Sequence, residues 1–135
     1  MKRQIDISNF MYVVIILLVY LLGTSALFSQ EFADAGNFKN KIAKDIVAIE
    51  FWAEWNQANQ FTELLKLKDC NFYRVDIMHC TDLQADYNIT AIPTVVIFDN
   101  GVEKERFGAN IMFQLEVDRK TIQNSVDTII LNKFQ

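Results

Sequence analysis

The run Ile46-Val47-Ala48-Ile49-Glu50-Phe51-Trp52 constrains this chain more than any other segment. It is apolar at every position but one and rich in β-branched and aromatic residues. An alternating strand shows one face to water. A continuous apolar strand has both faces covered, as in a parallel sheet with helices on either side. The pattern around it agrees. Phe32, Ala35, Phe38, Ile42 and Ala43 have helical spacing ahead of it, up to Lys44. After it, Phe61, Leu64, Leu65 and Lys68 share a helical face, with Asn56 as the expected N-cap. Residues 71–78 read as a second strand, and Thr81 or Asp82 caps a short helix with Leu83 and Tyr87 inward. Residues 93–98 form a third strand. Asp99-Asn100-Gly101 is a turn signal, and Val102 to Phe107 returns as a hairpin. Asp118 caps a last helix carrying Ile122, Val126, Ile129 and Ile130. Strand and helix alternating predict a parallel β-α-β unit with an antiparallel pair at the end.

A different pattern occupies the N-terminus. Phe10 to Leu22 is unbroken apolar sequence, and small and apolar residues carry it to Phe28, 19 residues in all. That approaches the ~20 residues a bilayer core requires. Lys2 and Arg3 precede it, and the next positive charge is Lys39. The positive-inside rule then places the N-terminus in the cytoplasm and the body on the extracytoplasmic, periplasm-like side. A secretory signal peptide also satisfies these flanks, with Thr24-Ser25-Ala26 as its cleavage site. The expected division is residues 1–30 as a single-pass anchor and 31–135 as one domain. The body carries 11 basic and 16 acidic residues. This acidic balance, with no basic stripe, argues against nucleic acid and against lying flat on an anionic membrane.

Phe51-Trp52-Ala53-Glu54-Trp55 resembles the segment that precedes the active-site Cys-Gly-Pro-Cys of thioredoxin. Ala91-Ile92-Pro93-Thr94 is similar to that family's proline loop, and Asp99-Asn100-Gly101 with Gly108 is similar to its closing hairpin. The resemblance spans roughly Phe32 to Phe134. It implies an α/β, thioredoxin-like three-layer sandwich, a mixed sheet flanked by helices, preceded here by one transmembrane helix. It also implies a cis Pro93. The first strand of that fold would be missing or very short, with only Leu27 to Phe32 to supply it.

One departure governs the functional reading. The four positions after Trp55 are Asn56-Gln57-Ala58-Asn59, so carboxamides stand where the resemblance places both thiols. Thiol–disulfide exchange needs a thiolate to attack and a second thiol to resolve the mixed disulfide. The expectation is therefore a chain that is not an enzyme: a redox-inactive, membrane-tethered accessory subunit of a membrane protein complex, with protein partners. Without thiols, Trp55, Ile92, Pro93 and Thr94 would still form a peptide groove working by strand addition. Ile111, Phe113, Leu115 and Val117 alternate with Met112, Gln114 and Glu116. The period of two predicts an edge strand packed on its own domain or a docking segment for a partner.

Two alternatives use other residues. In the first, a single-thiol enzyme works through Cys80 or Cys70. The strand between them would set the two ~30 Å apart, against the ~7 Å a disulfide tolerates. Cys80, beside His79 in a loop, is then a candidate reactive thiol or intermolecular bridge. In the second, the groove holds unfolded peptides as a chaperone. No metal site is expected from one histidine beside one cysteine, and no cofactor is called for. Glu50, where the family keeps a buried acid, is expected to pair with Arg74 on the neighbouring strand.

Overall fold

The computed structural model describes Met11 and residues 31–135. The proposed anchor at 10–28 therefore lies outside the described residues, Met11 excepted. Among the described residues no helix is long and apolar enough to cross a membrane.

A mixed four-stranded sheet with order β2-β1-β3-β4 forms the centre. Strand β1 (Ile46–Trp52) pairs parallel with β2 (Asn71–Asp76) and antiparallel with β3 (Thr94–Asp99), which pairs antiparallel with β4 (Val102–Phe107). Helices α1 (Phe38–Ile42), α2 (Thr81–Asp86) and α3 (Arg119–Asn132) flank it.

The apolar run explains the layering. All seven residues of β1 are buried. Val47, Ile49 and Phe51 point into one core cluster with Phe38 and Ile42 of α1 and Leu83 of α2. Ile46 and Ala48 point into the other, with Leu64 and with Ile122 and Val126 of α3. Phe38 anchors the first cluster, its ring centroid 6.1 Å from Phe51, 4.9 Å from Tyr87 and 6.0 Å from Phe98. The hairpin forms where the turn signal sits. Asn100 and Gly101 both take positive φ, 49° and 82°, the backbone that tight hairpins need. Asp118 accepts a hydrogen bond from the Thr121 amide and caps α3 as expected.

Several boundaries differ from expectation. The helix read from Phe32 begins only at Phe38, and Phe32 instead bridges in parallel to Arg74. That one bridge is what stands at the place of a first strand among the described residues. Beyond β1 there is no long α-helix but two short 3-10 segments, Glu54–Asn59 and Thr62–Lys66. The second buries Leu64 and leaves Lys66 exposed. Strand β2 ends at Asp76, where its carboxylate accepts the Met78 amide and turns the chain out of the sheet.

Glu50 is a fully buried carboxylate within the apolar strand. Its Oε2 accepts from Nε and Nη2 of Arg74 at 2.8 and 2.6 Å, and the two residues are register partners on β1 and β2. Its Oε1 accepts the backbone amide of Phe61 at 2.9 Å. The expected pair is present, and it also ties the segment between the two 3-10 turns to the sheet.

Candidate functional site

The chain leaves β1 through Ala53, whose backbone is extended at φ −145° and ψ 147°, and bends at once into the Glu54–Asn59 turn. The extended residue ahead of the turn, where an N-cap would sit, is Ala53, and no side chain caps it. Asn56 is therefore not the N-cap that the sequence suggested. It lies inside the turn with non-helical angles, φ −103° and ψ 23°, and is only 4% exposed.

Burying a carboxamide without partners is costly, so its partners show what it is for. Nδ2 of Asn56 donates to the Phe113 carbonyl at 3.0 Å and, at the 3.5 Å limit, to the Ile92 carbonyl. Its Oδ1 accepts from Nδ2 of Asn59 at 2.9 Å. Nδ2 of Asn59 also reaches the Met112 carbonyl at 3.5 Å, and Oδ1 of Asn59 accepts from Nε2 of Gln114 at 3.4 Å. The two asparagines thus face each other and hold a loop more than fifty residues away in sequence.

That loop is the 111–117 segment, and it is not a strand. Only an isolated bridge, Ala109 to Leu115, has ladder geometry. Oδ1 of Asn110 accepts the amides of Met112 and Gln114 at 2.8 and 3.1 Å, and the Asn110 carbonyl accepts the Phe113 amide at 3.0 Å. The asparagine side chain satisfies backbone donors that an edge strand would have offered to a neighbour. Phe113 takes φ 57°, the left-handed region that a bulky residue adopts only when its surroundings enforce it. Its ring packs edge-on against Trp55 with centroids 5.3 Å apart.

The sequence's two separate candidates therefore become one site. Ile92, Pro93 and Thr94 are buried, the Ile92–Pro93 bond is cis, and Thr94 Oγ1 donates to the Ala91 carbonyl at 2.7 Å. Trp55 stays 59% exposed. Beside Pro93, Asn56 Nδ2 lies between the carbonyls of Ile92 and Phe113, so the 111–117 loop borders the proposed groove. The docking segment divides as well. Ile111 and Phe113 project outward at 97% and 45% exposure, with Met112 at 66%. Leu115 and Val117 turn inward against the cluster of Ile122 and Val126. Asn110 belongs to the site and was not picked out from sequence, while Met112 and Gln114 were read only as the alternate positions of the 111–117 segment. The asparagine followed by a short loop was the signal available for Asn110.

The thiols lie elsewhere. Cys80 is buried in the first core cluster near Ile77 and Leu83, not displayed on a loop. Cys70 is half-buried beside the second cluster. Burial first, then the charges of Asp69 and Asp127, pushes its pKa up to about 11, which disfavours the thiolate. Both cysteines are free. His79 is exposed and lies 2.9 Å from Asp76 Oδ2. Among the described residues no group of three or more metal-ligating side chains occurs.

A mixed sheet between helices, with a cis proline facing the turn that follows β1, defines a thioredoxin-like domain. The thioredoxin family model matches residues 29–116. Thioredoxin of Mycoplasma genitalium is 43% identical over 70 residues, covering 47% of this chain and 69% of that protein. Thioredoxin of Chlamydia trachomatis is 33% identical over 76 residues, 52% of this chain and 74% of that protein. The solved thioredoxin of Malassezia sympodialis superposes with TM-score 0.58 at 23% identity, covering 74% of this chain and 90% of that one. A mutant thioredoxin from Halobacterium salinarum gives TM-score 0.58 at 17% identity, over 73% and 88% of the two chains. These last two support the fold alone. The chain belongs to the thioredoxin family.

That membership corrects one expectation. The relatives are named thioredoxin, a family of oxidoreductases, and this overturns the statement that the chain is not an enzyme. The geometry itself says only that positions 56 and 59 hold carboxamides in contact, with the nearest carbonyls already engaged.

Proposed function

We propose that this chain is a membrane-tethered thioredoxin-family domain that acts by binding protein, as an accessory subunit of a membrane complex on the extracytoplasmic side. One observation carries the reading: Asn56 and Asn59, at the positions of the family's thiols, engage each other and the backbone of Phe113 and Met112. The site is thereby spent on holding a loop whose apolar tips face outward. Rigid display of apolar side chains is what a binding surface needs, because little ordering cost remains at association. The tether is supported by the apolar stretch 10–28 behind Lys2 and Arg3.

The test is gentle detergent extraction of the tagged full chain, followed by quantification of what co-purifies. One partner at fixed stoichiometry supports an accessory subunit. Many substoichiometric clients would instead favour a peptide-holding chaperone.

The names of the relatives favour a second reading, thiol–disulfide catalysis. With carboxamides at 56 and 59, its sulfur would have to come from Cys70 or Cys80. Insulin reduction by the wild type, abolished by Cys80→Ser or Cys70→Ser, would establish it.

A further inference from the structure

The loops at the Asn56 end of the sheet combine two features. The first is the apolar tip. Trp55, Ile111, Met112 and Phe113 are all exposed, and Ile111 is almost wholly so at 97%. A loop that had only to cover Asn56 would turn its large side chains inward, as Leu115 does. The Asn110 turn and the Asn56–Asn59 pair hold the tip in place from below.

The second feature is charge. Strands β1, β2 and β4 end and β3 begins at this end, so the segments 53–65, 76–94 and 107–118 leave or enter the sheet here. None of these segments contains a lysine or an arginine. Near these strand ends they carry the exposed carboxylates Glu54, Asp82, Glu116 and Asp118. The bordering cations are four, and the first, exposed Lys66, pairs with Glu63. Arg106 reaches the Asn88 carbonyl but is held by both oxygens of Glu103. Arg119 and Lys120 begin α3 just beyond Asp118. All of the lysines lie in other stretches of the chain.

We infer that the Trp55–Ile111–Met112–Phe113 face is the docking surface for the partner, and that the partner presents a cationic protein segment with apolar residues between its lysines or arginines. This deepens the accessory-subunit reading and rests on it. Apolar contact supplies affinity, and the surrounding carboxylates supply orientation and exclude acidic partners. The same carboxylates argue against an anionic membrane as the occupant, since anionic headgroups would be repelled. The face differs from strand addition at Ile92, because the Asn56 amide already reaches that carbonyl and the contact is made by side chains of the loop.

The test uses the full chain in nanodiscs of zwitterionic lipid, with empty nanodiscs as the blank. The probes are three fluorescein-labelled twelve-residue peptides: alternating Leu and Lys, alternating Leu and Glu, and alternating Ser and Lys. Anisotropy should show the Leu/Lys peptide binding at least tenfold more tightly than either other peptide, and weakening as salt rises. Ile111→Ser with Met112→Ser should reduce that binding about tenfold or more, given the apolar area removed. Glu54→Gln with Glu116→Gln should flatten the salt dependence. Unchanged melting temperatures in both variants exclude unfolding as the cause. Equal binding of the Leu/Glu peptide overturns the inference, as does full binding after Ile111→Ser with Met112→Ser. Quenching of tryptophan fluorescence by brominated phosphatidylcholine in the same nanodiscs, lost in the Ile111→Ser with Met112→Ser variant, would assign the face to membrane and overturn it too. If extraction yields a stoichiometric partner that the double serine variant retains, the docking face fails while the accessory reading stands. If extraction yields no partner, the accessory reading fails whatever the peptides do.

Discussion

Asn56→Ala is the most informative single change, because the structure allows its size to be worked out. The substitution removes the donor to the Phe113 carbonyl at 3.0 Å and the acceptor of the Asn59 amide at 2.9 Å. A net hydrogen bond is worth ~0.5–1.5 kcal/mol, and a buried group left unpaired costs ~1–3 kcal/mol. Phe113 and Asn59 are only partly buried, so water can replace part of what is lost. The expected cost is about 1–2 kcal/mol, placed on closing the 109–115 loop and not on the sheet. The left-handed Phe113 adds to the effect, because its surroundings are what enforce that backbone. By linkage, ~1.4 kcal/mol is a tenfold change in the opening equilibrium. Native-state hydrogen exchange is the assay. The Phe113 and Gln114 amides, bonded to the carbonyl and side chain of Asn110, should exchange roughly ten times faster in Asn56→Ala. Amides of β1 and β3 should keep their wild-type rates. Unchanged exchange at 113 and 114 would refute the claim that Asn56 holds the loop. Equal acceleration throughout the sheet would show that Asn56 serves the fold as a whole.

Four further outcomes are expected. Glu50→Ala leaves the Arg74 guanidinium buried without its carboxylate, which costs about 3–5 kcal/mol and should lower Tm by more than ~10 °C in a thermal melt; Glu50→Gln, which keeps an acceptor for the Phe61 amide, should do less harm. Cys70, with its pKa raised to about 11, should react with iodoacetamide on the order of a hundredfold more slowly than an ordinary cysteine at pH 8. Because the folded thiol holds its proton to higher pH than the unfolded one, stability should fall between about pH 8.5 and 11, and Cys70→Ala should flatten that slope in pH-dependent urea melts. Asn56→Cys with Asn59→Cys places sulfurs where the two carboxamides now touch, so dithiothreitol-dependent insulin reduction should rise at least tenfold above the wild type.

The parts of this molecule that were legible in the sequence are those whose signals are local or chemically forced. Ile46 to Trp52 read as a doubly covered strand because each residue of that run is buried by layers above and below. Asn100-Gly101 and Asp118 declared a turn and a cap through their own backbone preferences. Glu50 could be paired with Arg74 because a carboxylate in an apolar strand has to find a cation. The site was less legible because its contacts are remote. Asn56 meets Phe113 across 57 residues, and no local pattern announces that pairing. Alternation in 111–117 suggested a strand, yet Asn110 supplied from its side chain the acceptor that a ladder would have supplied. Cys80 looked displayed because it followed the exposed His79, whereas Leu83 one turn later draws it into the core.

On the reading proposed above, the loop held by Asn56 and Asn59 is where this domain meets a protein partner. A photo-cross-linking residue placed at position 111 of the full chain, expressed in its own cells, reports whether it does. A second probe at position 44, an exposed lysine just ahead of β1 at the opposite end of the sheet, serves as the comparison. The expected result is one discrete cross-linked protein from 111 and none from 44. A cross-link from 44 without one from 111, or a diffuse smear from both, would contradict it.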